Sequence, residues 1–196
     1  MSRPNIVAVS AGLWSPSKTT VLAKAISSAA AERLHGHSAL IEIGSFAAEL
    51  GATFRRGDAK GDLAVALAEV ERADVLIAAT PVFRGSYTGH FKHFFDLVEL
   101  AALKGAFVVV AAVGGGEKHC LVTEHALKPL FGFFQSIVLP SGVYASEPDF
   151  AGGELVGASV VARIDDVLSE LAALFPGPLS VSGEIPVSAV SAVRAV

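Results

Sequence analysis

Residues 6–12 read Ile6-Val7-Ala8-Val9-Ser10-Ala11-Gly12, a β-branched apolar run that breaks into small residues at its end. A run of that length and composition predicts a buried strand opening into a loop. From Ser17 the pattern becomes helical, with Val21, Leu22, Ala25, Ile26 and Ala29 on one side and Lys18, Lys24 and Glu32 elsewhere. Ser17 is placed to cap that helix. A strand passing through a loop into a helix is the unit from which α/β sheets are built.

The rest of the chain keeps alternating the two element types. Further apolar runs fall at Ala39–Ile43, Val75–Ala79, Ala106–Val113 and Ile137–Val143. Helix-length segments lie between and after them, at Asp62–Arg72, Gly89–Glu99, His119–Phe134 and Ser159–Phe175. Five strands alternating with helices imply a parallel sheet covered on both faces. The expected architecture is a flavodoxin-like three-layer sandwich with strand order 2-1-3-4-5. Residues 47–61 lack clear periodicity and read as a long connection. Residues 1–175 are expected to form one domain, followed by a Pro, Ser and Val-rich tail over 176–196 that either reaches a neighbouring subunit or moves freely.

Composition narrows the function classes. The 196 residues are 52% hydrophobic and only 17% charged, which suits one sizeable core and excludes a disordered chain. A net charge of -4 argues against a nucleic-acid module, since phosphate backbones demand a basic stripe. The one cysteine, Cys120, can form no internal disulfide, and it reads as a small buried hydrophobe. No apolar run is long enough to span a bilayer and no export signal opens the chain, so a cytoplasmic location is expected.

In open α/β sheets, ligands sit beyond the carboxyl ends of the strands where the winding reverses. With the order 2-1-3-4-5, that reversal lies between strands one and three, so the loops after strands one, three and four share a rim. The first, Ser10 to Thr20, is rich in hydroxyls and leads into a helix N-terminus suited to a phosphate. It lacks both Gly-Lys-Ser/Thr and Gly-x-Gly-x-x-Gly, and an ordinary capped helix is the competing reading. The second, Thr80-Pro81-Val82-Phe83-Arg84-Gly85-Ser86-Tyr87-Thr88-Gly89, can offer apolar contact and backbone donors to a flat ring. The third, Gly114-Gly115-Gly116, lets backbone approach a ligand closely.

These stretches carry a resemblance. Pro16-Ser17-Lys18-Thr19, Ala79-Thr80-Pro81-Val82-Phe83, Tyr87-Thr88-Gly89 with Lys92, Gly114-Gly115 and Ala126-Leu127-Lys128-Pro129 occur in the order seen in NAD(P)H-dependent FMN reductases. The sequence most closely resembles the branch that supplies reduced flavin to sulfonate-cleaving two-component monooxygenases. The resemblance implies FMN and NAD(P)H as ligands and hydride transfer from nicotinamide to flavin, without a catalytic side chain. It implies a phosphate site at Ser10, Ser15, Ser17, Lys18, Thr19 and Thr20, with the ring against Pro81, Val82, Phe83, Arg84 and Gly85, beside Tyr87, and against Gly114, Gly115 and Gly116. Arg84 is the candidate cation for the nucleotide phosphate; an ordinary surface arginine is the alternative. A homodimer or homotetramer and transient contact with a flavin-dependent monooxygenase are implied as partners. The pattern departs at Ala11-Gly12, where relatives usually carry Gly-Ser. It departs again at His125, where they often hold a tyrosine in an irregular helix at a tetramer interface.

Other residues are less telling. His90 and His93 share a spacing that could face a metal, but no carboxylate partner is defined. Phe91, Phe94, Phe95, Leu97 and Val98 crowd one short helix and read either as core or as a subunit contact, and Phe131, Phe133 and Phe134 extend the same choice. Competing functions are an FMN-retaining quinone or azo reductase, a flavodoxin-type electron carrier, and a non-enzymatic module binding through the aromatic helix.

Overall fold

The computed structural model describes residues 3–175, so the tail assigned to 176–196 lies outside the described residues. Strand β1 (Asn5–Ser10) leads into helix α1 (Lys18–Leu34), and His35, at φ 52°, ends the helix and turns the chain into β2 (His37–Glu42). Next come α2 (Ala47–Ala52), α3 (Gly61–Val70), β3 (Val75–Pro81), α4 (Gly89–Leu97) and β4 (Phe107–Gly114). The chain continues through α5 (Lys128–Phe133), β5 (Ile137–Val138) and β6 (Val143–Ser146). A small antiparallel hairpin, β7 (Phe150–Ala151) and β8 (Glu154–Leu155), precedes α6 (Ala158–Leu174).

The main sheet is parallel with order β2-β1-β3-β4-β5, the flavodoxin-like order expected from the sequence, and β6 also pairs with β4. Alternate residues of each strand feed two cores. Val7, Val9, Leu76, Ala78, Val108 and Val110 pack with Leu63, Leu67, Phe91 and Phe131 on one side. Ile6, Ala8, Val75, Ile77, Val109 and Ala111 pack with Leu22, Ile26, Ile164 and Leu168 of α1 and α6 on the other. Every residue of β4 is buried, as a central parallel strand requires.

The aromatic helix belongs to the core: Phe91, Phe94 and Phe95 are at most 1% exposed. Phe91, Phe95 and Phe131 form a cluster with ring centroids 4.8 to 6.3 Å apart. Truncating one such ring to alanine typically costs about 3–5 kcal/mol. Phe133 alone of the α5 phenylalanines faces outward, at 71% exposure.

Several local expectations are corrected. The supposed structureless connection over 47–61 contains α2, because Phe46 and Leu50 stand one helical turn apart and both enter the core. The fifth strand, expected as one run over Ile137–Val143, is split. From Val108 to Ala111 β4 advances three residues while its partner advances five, from Val138 to Val143, and the surplus loops out at Leu139 to Gly142. Pro140, which has no N–H to give a ladder, sits in that loop.

The helix expected over His119–Phe134 is likewise interrupted, with a π-helical turn at Thr123–Leu127 before α5. Pro129 removes the donor that would close an α-turn onto the His125 carbonyl, and wider winding precedes it. Cys120 is exposed rather than buried, since it lies in the loop leading into that irregular segment.

Candidate functional site

The register of the sheet brings three loops to one edge. Ser10 pairs with Ala79 and Pro81 with Val113, so β1, β3 and β4 finish close together, and the pairing of Gly114 with Ser146 brings the end of β6 beside them. The loops leaving them surround a cavity of about 360 Å³, within the roughly 300–1,000 Å³ usual for small-molecule sites.

The first loop is held from below. The Gly12 N–H donates to Ser10 Oγ at 3.2 Å, the Ser10 and Thr20 hydroxyls bond at 2.9 Å, and the Thr20 hydroxyl donates to Glu42 Oε1 at 3.0 Å. Ser10 is fully buried, and it and Thr20 brace the loop rather than line the cavity. At the top, Ser17 Oγ accepts the Thr20 N–H at 3.2 Å, and the Ser17 carbonyl accepts the Val21 N–H at 3.0 Å. The N–H groups of Lys18 and Thr19 stand in the first turn of α1, where no intrahelical acceptor exists. Gly12 is required there: a Cβ would come within 2.0 Å of Ser17 Oγ.

The second loop is tied to β4 by the Val82 N–H, which donates to the Val113 carbonyl at 2.8 Å. Phe83 and Ser86 exchange backbone hydrogen bonds of 2.9 and 3.2 Å around Arg84 and Gly85. Both intervening residues have positive φ, 54° and 82°, as a tight two-residue hairpin turn demands. The third loop is pinned by Tyr144, whose hydroxyl donates to the Gly116 carbonyl at 2.6 Å. Burial pushes the Tyr144 phenol above its ordinary range, and the acidic groups of Asp149 and Glu117 act the same way. The donor is therefore kept protonated.

Around the cavity stand Ser17, Lys18 and Thr19 from the first loop and Pro81, Val82 and Phe83 from the second. Gly114 and Gly115 complete the wall from the third. Other residues named from the sequence stand apart. Ser15 is exposed and off the wall, as are Arg84 and Gly85 at the hairpin tip. Tyr87 packs its ring 5.7 Å from Phe91, and Gly116 turns its carbonyl to Tyr144. His93 bonds the Thr53 carbonyl at 2.8 Å, and no group of three or more metal-capable side chains occurs among the described residues.

Sequence reasoning missed Leu13, Trp14, Val113 and Glu147, which also line the cavity. Trp14 and Phe83 set their rings 5.8 Å apart at its mouth, although both remain exposed. Glu147 forms an ion pair with Lys18. The Trp lies inside the loop singled out from the sequence and could have been named as a wide apolar face. Glu147 comes from a segment 129 residues away from Lys18, beyond any local signal.

A family model described as NADPH-dependent FMN reductase matches residues 4–151. The chain is 46% identical over 176 residues to the NADH-dependent FMN reductase SfnF of Pseudomonas fluorescens, covering 89% of this chain and 94% of that one. It is 48% identical over 172 residues to an FMN reductase (NADPH) of Pseudomonas aeruginosa, covering 88% and 92%. Among solved structures it is similar to an oxidoreductase from Corynebacterium diphtheriae, with a TM-score of 0.79 and 34% identity over 89% of this chain and 97% of that one. No helix among the described residues is long and apolar enough to cross a membrane.

Proposed function

The chain belongs to the NADPH-dependent FMN reductase family, and from that premise we propose that the cavity at the sheet edge is where it holds FMN for reduction by a nicotinamide nucleotide. The protein is an NAD(P)H:FMN oxidoreductase. One observation carries the assignment of the site: loops from three strands, with the open first turn of α1, converge on one cavity.

The residues present fit the flavin. Its phosphate suits the first-turn N–H groups of Lys18 and Thr19, the Ser17 hydroxyl and the Lys18 ammonium. Its ring suits the apolar wall of Pro81, Val82 and Phe83 and the bare backbone of Gly114 and Gly115. Bound FMN supplies a hydride acceptor, which leaves orientation and exclusion of water as the protein's work. The tie from Val82 to Val113 and the Tyr144 brace hold the second and third loops at a fixed separation. Ser10 and Thr20 support the first loop from beneath. The exposed Arg84 is the cation this reading assigns to a nucleotide phosphate.

Wider features of the reading are also proposals. Residues 1–175 form the flavin-binding unit, and the reduced flavin passes to a monooxygenase of sulfonate metabolism. Two or four copies associate, an idea supported by Leu100 and Phe133, 58% and 71% exposed beside one apolar groove. Light scattering that reads a monomer would remove that last element.

Steady-state assays with each nucleotide against FMN, FAD and riboflavin test the main reading. Nucleotide oxidation is expected only when flavin is supplied or bound, with FMN preferred. Relatives 46% and 48% identical carry NADH and NADPH in their names, so both nucleotides belong in the assay. Turnover unaffected by flavin would overturn the reading.

A further inference from the structure

We propose that Glu147 is a built-in competitor for the flavin phosphate: its carboxylate pairs with the Lys18 ammonium, and FMN gains that ammonium only by displacing it. The inference rests on the reading of the cavity as the flavin site. Its consequence is that FMN binds loosely enough to be exchanged as a substrate.

The carboxylate is delivered by a rigid turn. Glu147 follows Ser146, which the pairing with Gly114 sets at the carboxyl edge of the sheet. The Ser146 N–H and hydroxyl both donate to Asp149 Oδ2, at 2.7 and 3.0 Å, while the Asp149 carbonyl accepts the N–H groups of Val156 and Gly157 at 2.8 and 3.0 Å. Gly157 is fitted so closely to this turn that a Cβ would meet Asp149 Oδ1 at 2.3 Å. The segment bearing Glu147 is therefore anchored on both sides, and its acid is directed at the cavity it lines.

Chemistry makes the acid a substitute for phosphate. The Glu147 carboxylate offers the Lys18 ammonium the same kind of charge-assisted oxygen partner that a phosphate would. Two anions drawn to one ammonium repel each other, so occupation by one weakens the other. The Lys18 and Glu147 side chains are 40% and 70% exposed, and exposed ion pairs are weak. A doubly charged phosphate can thus displace the acid, at a penalty of a few-fold in affinity. An enzyme that hands its flavin onward gains from that penalty, because a tighter phosphate grip would retain the product.

The test is a titration of wild type, Glu147→Gln, Lys18→Met and the double variant, each with FMN and with riboflavin, followed by flavin fluorescence. Glu147→Gln is expected to bind FMN about 3- to 10-fold tighter, with riboflavin affinity unchanged because riboflavin has no phosphate. In the Lys18→Met background the gain should shrink to what direct repulsion between the two anions leaves, since the contested cation is gone. Unchanged or weaker FMN binding by Glu147→Gln, with riboflavin still bound, would overturn the competition and leave the flavin site standing. A gain undiminished by Lys18→Met would overturn it too, because the acid would then act by repulsion alone and not by holding the lysine. Failure of the wild type to bind either flavin would overturn the site itself.

Discussion

Gly12 approaches Ser17 so closely that any β-carbon at this position would lie 2.0 Å from the Ser17 hydroxyl oxygen. Gly12→Ala must push that hydroxyl off the Thr20 N–H, removing the cap of α1 and shifting the first turn. Loss of an N-cap typically costs about 0.5–2 kcal/mol and local overpacking about 1–3 kcal/mol. The expected outcome is a measurable fall in midpoint by thermal or urea unfolding, together with at least a 10-fold loss of FMN affinity. Unchanged FMN binding would show that the first turn does not touch the ligand. Ser17, Lys18 and the Pro81 to Phe83 run were legible from sequence because each lies in a loop whose composition is unusual. Glu147 was not, since its position depends on which residue of β6 faces Gly114, a matter of long-range register.

Elements show the same division between local and distant information. Strands β1, β3 and β4 were readable as continuous apolar runs, and their order is that of the flavodoxin-like sheet the sequence was expected to form. The break between β5 and β6 was passed over, although Pro140-Ser141-Gly142 interrupts the apolar run with residues that favour a turn. The connection after β2 offers a further case. Arg56 there grips Glu71 at the end of α3 through bonds of 2.7 and 2.8 Å, and Glu71 also accepts the Glu99 N–H at 3.2 Å. Burial opposes the Glu71 charge, yet Arg56 and the Glu99 N–H together hold this carboxyl below its ordinary value of 4.5. The native state therefore binds a proton less readily than the unfolded chain. The associated stability is complete above about pH 4.5 and is lost as pH falls through the lowered folded value. Glu71→Gln should cost about 1–3 kcal/mol at neutral pH. The gap to wild type should close as denaturation is measured at progressively more acid pH; a gap independent of pH would refute the linkage.

At the scale of the whole molecule, one sheet does two jobs. Its two faces bury the phenylalanine and aliphatic clusters that hold the layers together. Its carboxyl edge gathers side chains from widely separated parts of the chain around a single hollow. The fold and family were therefore open to a reading of the sequence, while the full wall of the hollow required the three-dimensional register. Trp14 stands at the mouth of that hollow beside Phe83, and it is the one tryptophan in the chain. The molecule thus carries its own optical reporter: ultraviolet emission from this indole should be quenched by energy transfer when an isoalloxazine settles nearby. Occupancy could then be followed in real time without any label, and an emission that ignores added FMN would place the ligand elsewhere.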